Sequence, residues 1–123
     1  MSQFSNTKYD LEERTARFGE GVIGLCRVIR SDPIAAPLIN QLVRSATSIG
    51  VNYTEANNAS SKKDFRNKIF ICKKESQETK HWLRMMANAV PDHKEKLRPL
   101  WQECQELTKI FQKIITSVDA KRF

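Results

Sequence analysis

Residues 41–82 read QLVRSATSIGVNYTEANNASSKKDFRNKIFICKKESQETKHW, and the apolar pattern of this stretch decides the fold. In its first half, Leu42, Ala46, Ile49, Tyr53 and Ala56 follow one another in steps of 4, 3, 4 and 3. In its second half, Phe65, Ile69 and Cys72 take up the same spacing, which runs on through Ser76 and Thr79 to Leu83. Such steps hold one narrow stripe on one side of an α-helix, the side that packs against neighbouring helices. Between the two halves, residues 57–61 are Asn-Asn-Ala-Ser-Ser, without any period, and predict a polar break. Ser61 is placed to cap the second of these helices, with Asp64 three residues on, near the positive helix end.

The same spacing appears on either side. Upstream, Leu11, Thr15, Phe18, Val22, Leu25 and Ile29 predict a helix over residues 10–30, with Asp10 as N-cap and Glu12 and Glu13 in the first turn. Gly19, Gly21 and Gly24 interrupt it. Each costs up to about 1 kcal/mol against alanine in a helix interior, which points to close approach of a neighbouring helix. No strand precedes these glycines and no Lys-Ser/Thr pair follows, so they do not read as a phosphate loop. Ser31-Asp32-Pro33 stops this helix, and Pro37 suits the first turn of a second one over residues 37–57. The third covers residues 62–89. After a break at Pro91-Asp92, a fourth covers residues 92–118 on the seam Leu97, Leu100, Cys104, Leu107, Phe111, Ile114 and Val118. Pro99 either kinks that helix or marks its true start after a short turn. Residues 1–9 and 119–123 read as loose ends. Connections of about 3–6 residues force antiparallel neighbours. The expected fold is therefore all-α, a single-domain, antiparallel up-down-up-down four-helix bundle.

Composition agrees with one such domain. The chain has 123 residues, of which 40% are apolar, enough for a core and too many for wholesale disorder. No run of about 18 apolar residues offers a membrane span. The opening MSQFSNTKYDLEER lacks the apolar core of a signal peptide. Cys26, Cys72 and Cys104 are odd in number and sit on or beside apolar stripes, which reads as free thiols in a reducing cytoplasm.

Charge is the strongest functional signal. The formal net charge is +7, and residues 62–84 hold eight cations against three acids. Arg66, Lys73 and Lys80 recur every seven residues and so line one side of the third helix, with Lys62, Lys63 and Arg84 extending the patch. Regular cationic spacing can follow a phosphate backbone without reading bases. A solvated lysine-rich face that only keeps the protein soluble is the other reading of these residues.

Three further constellations matter. Arg44, Ser48, Asn52 and Glu55 flank the seam of the second helix, and Glu75, Glu78 and Trp82 flank that of the third. A hydrogen-bonded network between them would fix the register of the two helices; the alternative is carboxylates facing water. Glu78 and His81 form one Glu-x-x-His unit, but a di-iron bundle needs two, and no Glu stands three residues before His93. No metal, cofactor or catalytic site is expected. Off-seam apolar residues, above all Phe70 and Ile71, with Ile23, Val28, Trp101, Ile110 and Ile115, suggest subunit interfaces.

Several of these residues carry a resemblance: Arg44-Ser45, Ser48-Ile49-Gly50, Asn52-Tyr53, Glu55-Ala56, Ser61-Lys62, Asp64-Phe65, Lys68, Glu75, Glu78 and Trp82-Leu83. In this combination the chain resembles the four-helix bundle proteins of the 23S rRNA intervening-sequence type. The resemblance implies a four-helix bundle that assembles into a ring, a homopentamer. A relative is a basic, nucleic-acid-binding accessory subunit of reverse transcriptases in diversity-generating retroelements, and the family does not imply an enzyme. Together with the charge, it leads us to expect a non-enzymatic oligomer that binds RNA or DNA. The alternative is a protein scaffold, with a partner such as a reverse transcriptase and little nucleic-acid affinity of its own.

Overall fold

The computed structural model describes residues 10–121. Four helices make up nearly all of this span: α1 (Leu11–Val28), α2 (Ala35–Asn57), α3 (Lys62–Ala89) and α4 (Lys94–Ala120), with a 3-10 turn at Pro91–His93 ahead of α4. The expected loose ends at residues 1–9 and 122–123 lie outside the described residues. Asp119 and Ala120, expected in the tail, instead complete α4.

Cross-helix contacts fix the directions. Between α1 and α2, Asn57 donates to Glu12 and Gly50 lies against Thr15. Between α2 and α3, Ser45 meets Thr79 and Glu55 meets Lys68. Between α3 and α4, Arg66 meets Asp119, Lys73 meets Gln112 and Lys80 meets Gln105. In each set one number rises as the other falls, so consecutive helices are antiparallel and the bundle runs up-down-up-down. α1 closes it against α4, where Arg14 grips Glu103 with two hydrogen bonds of 2.6 and 2.9 Å.

Helix ends follow local chemistry. Ser61 Oγ accepts from the Asp64 N–H at 3.0 Å and caps α3 as expected. Asp10 occupies the N-cap position of α1, but its side chain makes no capping bond. α1 ends at Val28, two residues short of the expected end, and α2 starts two residues earlier than expected. The cause of the early start is Asp32, whose carboxylate accepts from the Ile34 and Ala35 N–H groups at 2.9 and 2.7 Å. That leaves Pro37 third in the helix, still within the first turn where an N–H is dispensable. α4 continues through Pro99, so the proline does not mark its start.

The seams meet in one core. Leu42, Ile49, Ile69, Leu83, Leu107 and Phe111 are all essentially inaccessible to solvent. Tyr53 of α2 and Phe111 of α4 bring their rings to 6.3 Å across the bundle. Ile115, expected off the seam, is buried, whereas Ile114 is only half-buried. An α-helix drifts about 20° per heptad against a 3.5-residue repeat, so a fixed 4-3 spacing slips by one position over a helix this long. Polar residues in the core keep their hydroxyls satisfied. Thr79 donates to the Glu75 carbonyl at 2.7 Å and lies 2.9 Å from Ser45 Oγ, and Thr108 Oγ1 is 3.0 Å from Ser76 Oγ.

The α1 glycines divide. Gly19 is buried against Thr47 of α2, the close approach expected of it, and in α2 Gly50 leaves room for Thr15, whose Oγ1 a Cβ would meet at 3.3 Å. Gly24 has open space around it, so no packing reason holds a glycine there. Gly24→Ala should therefore raise stability by up to about 1 kcal/mol in urea unfolding. A loss would mean that the α1 backbone needs that glycine.

Candidate nucleic-acid interface

The cationic stripe of α3 does not stand free. Arg66 makes two hydrogen bonds to Asp119, at 2.6 and 3.1 Å. Lys73 Nζ donates to Gln112 at 2.7 Å and lies 5.6 Å from the centre of the Phe70 ring. Lys80 donates to Gln105 and lies 5.2 Å from the centre of the Trp101 ring. Lys62 reaches the Lys121 carbonyl at the close of α4. Of the six expected contacts, only Lys63 and Arg84 are exposed without a partner among the described residues.

The physical reason is geometric. Residues seven apart on α3 share one side, and α4 packs beside that side. Gln105, Gln112 and Asp119 are themselves seven apart, so two antiparallel heptad rows meet rung by rung. This matching row of acceptors was visible in the sequence and is the signal that the cations alone did not give.

The polar stripe splits into three parts. Arg44 of α2 forms an ion pair with Glu78 and lies 3.6 Å from Glu75 Oε1. Trp82 Nε1 donates to Glu78 at 3.2 Å, and His81 packs edge-on against Trp82. Separately, Asn52 donates to Ser48 Oγ and to the Ser48 carbonyl within its own helix, at 3.0 and 2.9 Å. Glu55 pairs with Lys68 at 2.8 Å near the surface, and that pair raises the Lys68 pKa. The six residues are thus not one continuous network; of the six, Arg44, Glu75 and Glu78 pair across α2 and α3, and Glu55 does so through Lys68.

Glu75 stands out. Its Oε1 is buried and makes no hydrogen bond, because the guanidinium of Arg44, at 3.6 Å, is in ion-pair range but beyond hydrogen-bond range. Removing that positive charge leaves the oxygen uncompensated. Arg44→Met should cost about 1 kcal/mol in urea unfolding, a modest value because Arg44 is half exposed. Glu75→Gln should leave stability unchanged or raise it, since an amide is cheaper to bury than a carboxylate. A neutral Arg44→Met would mean that water already does the arginine's work.

Apolar residues also reach the surface. Phe70 is 48% exposed, Ile71 is half-buried, and Val28, Ile34 and Val51 are more exposed than Phe70. Ile23 and Val51 flank an open groove of about 290 Å³ between α1 and α2, floored by Gly19 and Gly50. Among the described residues, no group of three or more His, Cys, Asp or Glu is arranged to hold a metal ion, and no helix is long and apolar enough to cross a membrane.

Comparison with known proteins agrees with this architecture. No curated protein matches the chain. Among solved structures it is similar to a protein of unknown function from the S23 ribosomal protein family of Bacteroides thetaiotaomicron. That likeness has a TM-score of 0.74 at 28% identity and covers 85% of this chain and 96% of the other. The family model described as 23S rRNA-intervening sequence protein matches residues 8–113. With that match spanning all of α1, α2 and α3 and most of α4, the chain belongs to the 23S rRNA-intervening sequence protein family.

Proposed function

We propose that this protein is a non-enzymatic, ring-forming bundle that binds nucleic acid through its basic surface, without strong sequence preference, as a cytoplasmic accessory subunit of a ribonucleoprotein or reverse transcriptase. The observation that carries this reading is the +7 charge combined with exposed cations that lack an acidic partner among the described residues, including Arg27, Arg30, Arg84, Lys94, Lys96 and Arg98. Cations already neutralised inside the protein gain little from a phosphate, whereas free ones release the counterions that drive polyanion binding. Assembly into a pentamer is part of the proposal and is supported by exposed apolar residues such as Phe70, with Ile71 beside it. Where such residues form a contiguous patch, another subunit is a common cover.

A second reading is favoured by the engagement of Arg66, Lys73 and Lys80 with α4: a protein scaffold with little nucleic-acid affinity of its own. Binding of labelled RNA and DNA across a salt series separates the two. The proposed function expects affinity for both polymers that falls steeply as salt rises; absence of binding at low salt leaves the scaffold. Light scattering at micromolar concentration should give a multiple of 14.2 kDa, and a monomer would refute the ring.

A further inference from the structure

Which surface a phosphate backbone contacts depends on where the free cations gather, and the topology gathers them. α1 and α3 end where α2 and α4 begin, so the connections at residues 29–34 and 90–93 share one end of the bundle. Arg27 and Arg30 lie at the close of α1, Arg84 in the last turns of α3, and Lys94, Lys96 and Arg98 at the start of α4. Each is within about 8 Å, measured along the axis, of a helix terminus at this end. All six are exposed, and none forms an ion pair among the described residues.

The acids at this end are few. They are Asp32, Asp92 and Glu95, and Asp32 is occupied by the first N–H groups of α2. The opposite end is built differently. Asp10, Glu12, Glu13, Glu55, Asp64 and Asp119 stand there among the cations, and Arg17, Arg66 and Lys68 are each paired with one of them. Two helix N-termini and two C-termini meet at either end, so the macrodipoles largely cancel and side chains set the sign of the potential.

We infer that the bundle end formed by the two connections, rather than the α3 stripe, is the face that contacts a polynucleotide phosphate backbone. Arg27, Arg30, Arg84, Lys94, Lys96 and Arg98 supply the contacts. This location rests on the nucleic-acid reading above and sharpens it. In a closed cyclic ring, every copy of this end falls on one circle about the axis, so contacts from successive subunits can follow a single strand.

The test compares two variants that lose the same charge. One carries Arg30→Gln, Lys96→Gln and Arg98→Gln at this end. The other carries Lys74→Gln, Lys109→Gln and Lys113→Gln, exposed positions elsewhere on the bundle. Fluorescence anisotropy follows a labelled uridine oligomer of about 30 nucleotides over about 50–200 mM salt. Circular dichroism and light scattering confirm that each variant keeps the parent's helicity and assembly. The end variant should bind about tenfold more weakly, with a flatter dependence of log affinity on log salt, while the control stays within about twofold of the parent. Equal losses in both variants, or a greater loss in the control, overturn the location and leave the nucleic-acid reading standing. No binding by the parent at the lowest salt removes that reading and the location with it.

Discussion

Phe111→Ala should lower the unfolding free energy by about 3–5 kcal/mol, the range for deleting a fully buried aromatic side chain. Phe111 has no solvent exposure and faces Tyr53 across the bundle, so truncation removes its transfer energy and opens a cavity at the meeting point of α2 and α4. Rigid helix backbones on all sides limit how far the site can collapse. Domains of this size are stable by only about 5–15 kcal/mol, so one substitution takes up a large share of the total. Urea unfolding followed by circular dichroism measures it. A loss under about 1 kcal/mol would show that the ring does not occupy the centre of the core.

The second large effect is chemical. Burial pushes the Cys72 and Cys104 thiols from the ordinary value of 9.0 up to about 12. Cys104 Sγ also lies 3.0 Å from the Ser76 carbonyl, to which its S–H donates, and a thiolate there would face an oxygen instead. At pH 8 the thiolate fraction of each is about a thousandfold lower than for an ordinary thiol, and the thiolate is the nucleophile. Iodoacetamide should therefore modify the native protein at half-exposed Cys26, while Cys72 and Cys104 react about a thousandfold more slowly than in urea. Peptide mass mapping reads the outcome; rapid labelling of Cys72 would contradict the packing of α3 on α2, and rapid labelling of Cys104 that of α4 on α3.

Those shifts also set a pH dependence. A thiol whose folded pKa lies above its unfolded value binds its proton more tightly when folded. Its contribution is therefore fully present below pH 9.0 and is lost as pH rises toward about 12. Tyr53, raised by burial, acts in the same direction. The urea midpoint should fall through this window.

The bundle itself was legible because its signal is local and periodic. The seams of α1 and α2 are buried at every expected position, and that of α3 at all but the half-buried Phe65, since a 4-3 spacing dictates which side of a helix is apolar whatever it packs against. Discrepancies came where position depends on something beyond the pattern. Asp32 moved the start of α2 by bonding backbone N–H groups, and helical drift exchanged Ile114 for Ile115. The site was less legible for a different reason. A row of cations on one helix says nothing about what the facing helix offers, so Arg66, Lys73 and Lys80 looked free until α4 supplied Asp119, Gln112 and Gln105. Likewise, the cations at residues 27–30, 84 and 94–98 are scattered in sequence and become neighbours only through antiparallel topology.

The rungs between α3 and α4 separate two properties that usually travel together. Two of the three end on an amide rather than a carboxylate, at Gln105 and Gln112. An amide oxygen accepts from a lysine as a carboxylate oxygen does, though more weakly, and it cancels none of the charge. Helix alignment is thus held while the lysines keep their field. Changing both glutamines to glutamate would lower the formal charge of +7 by two and leave every rung in place. A chain could in this way retune its attraction to polyanions by single side-chain changes, with no alteration to the architecture that carries them.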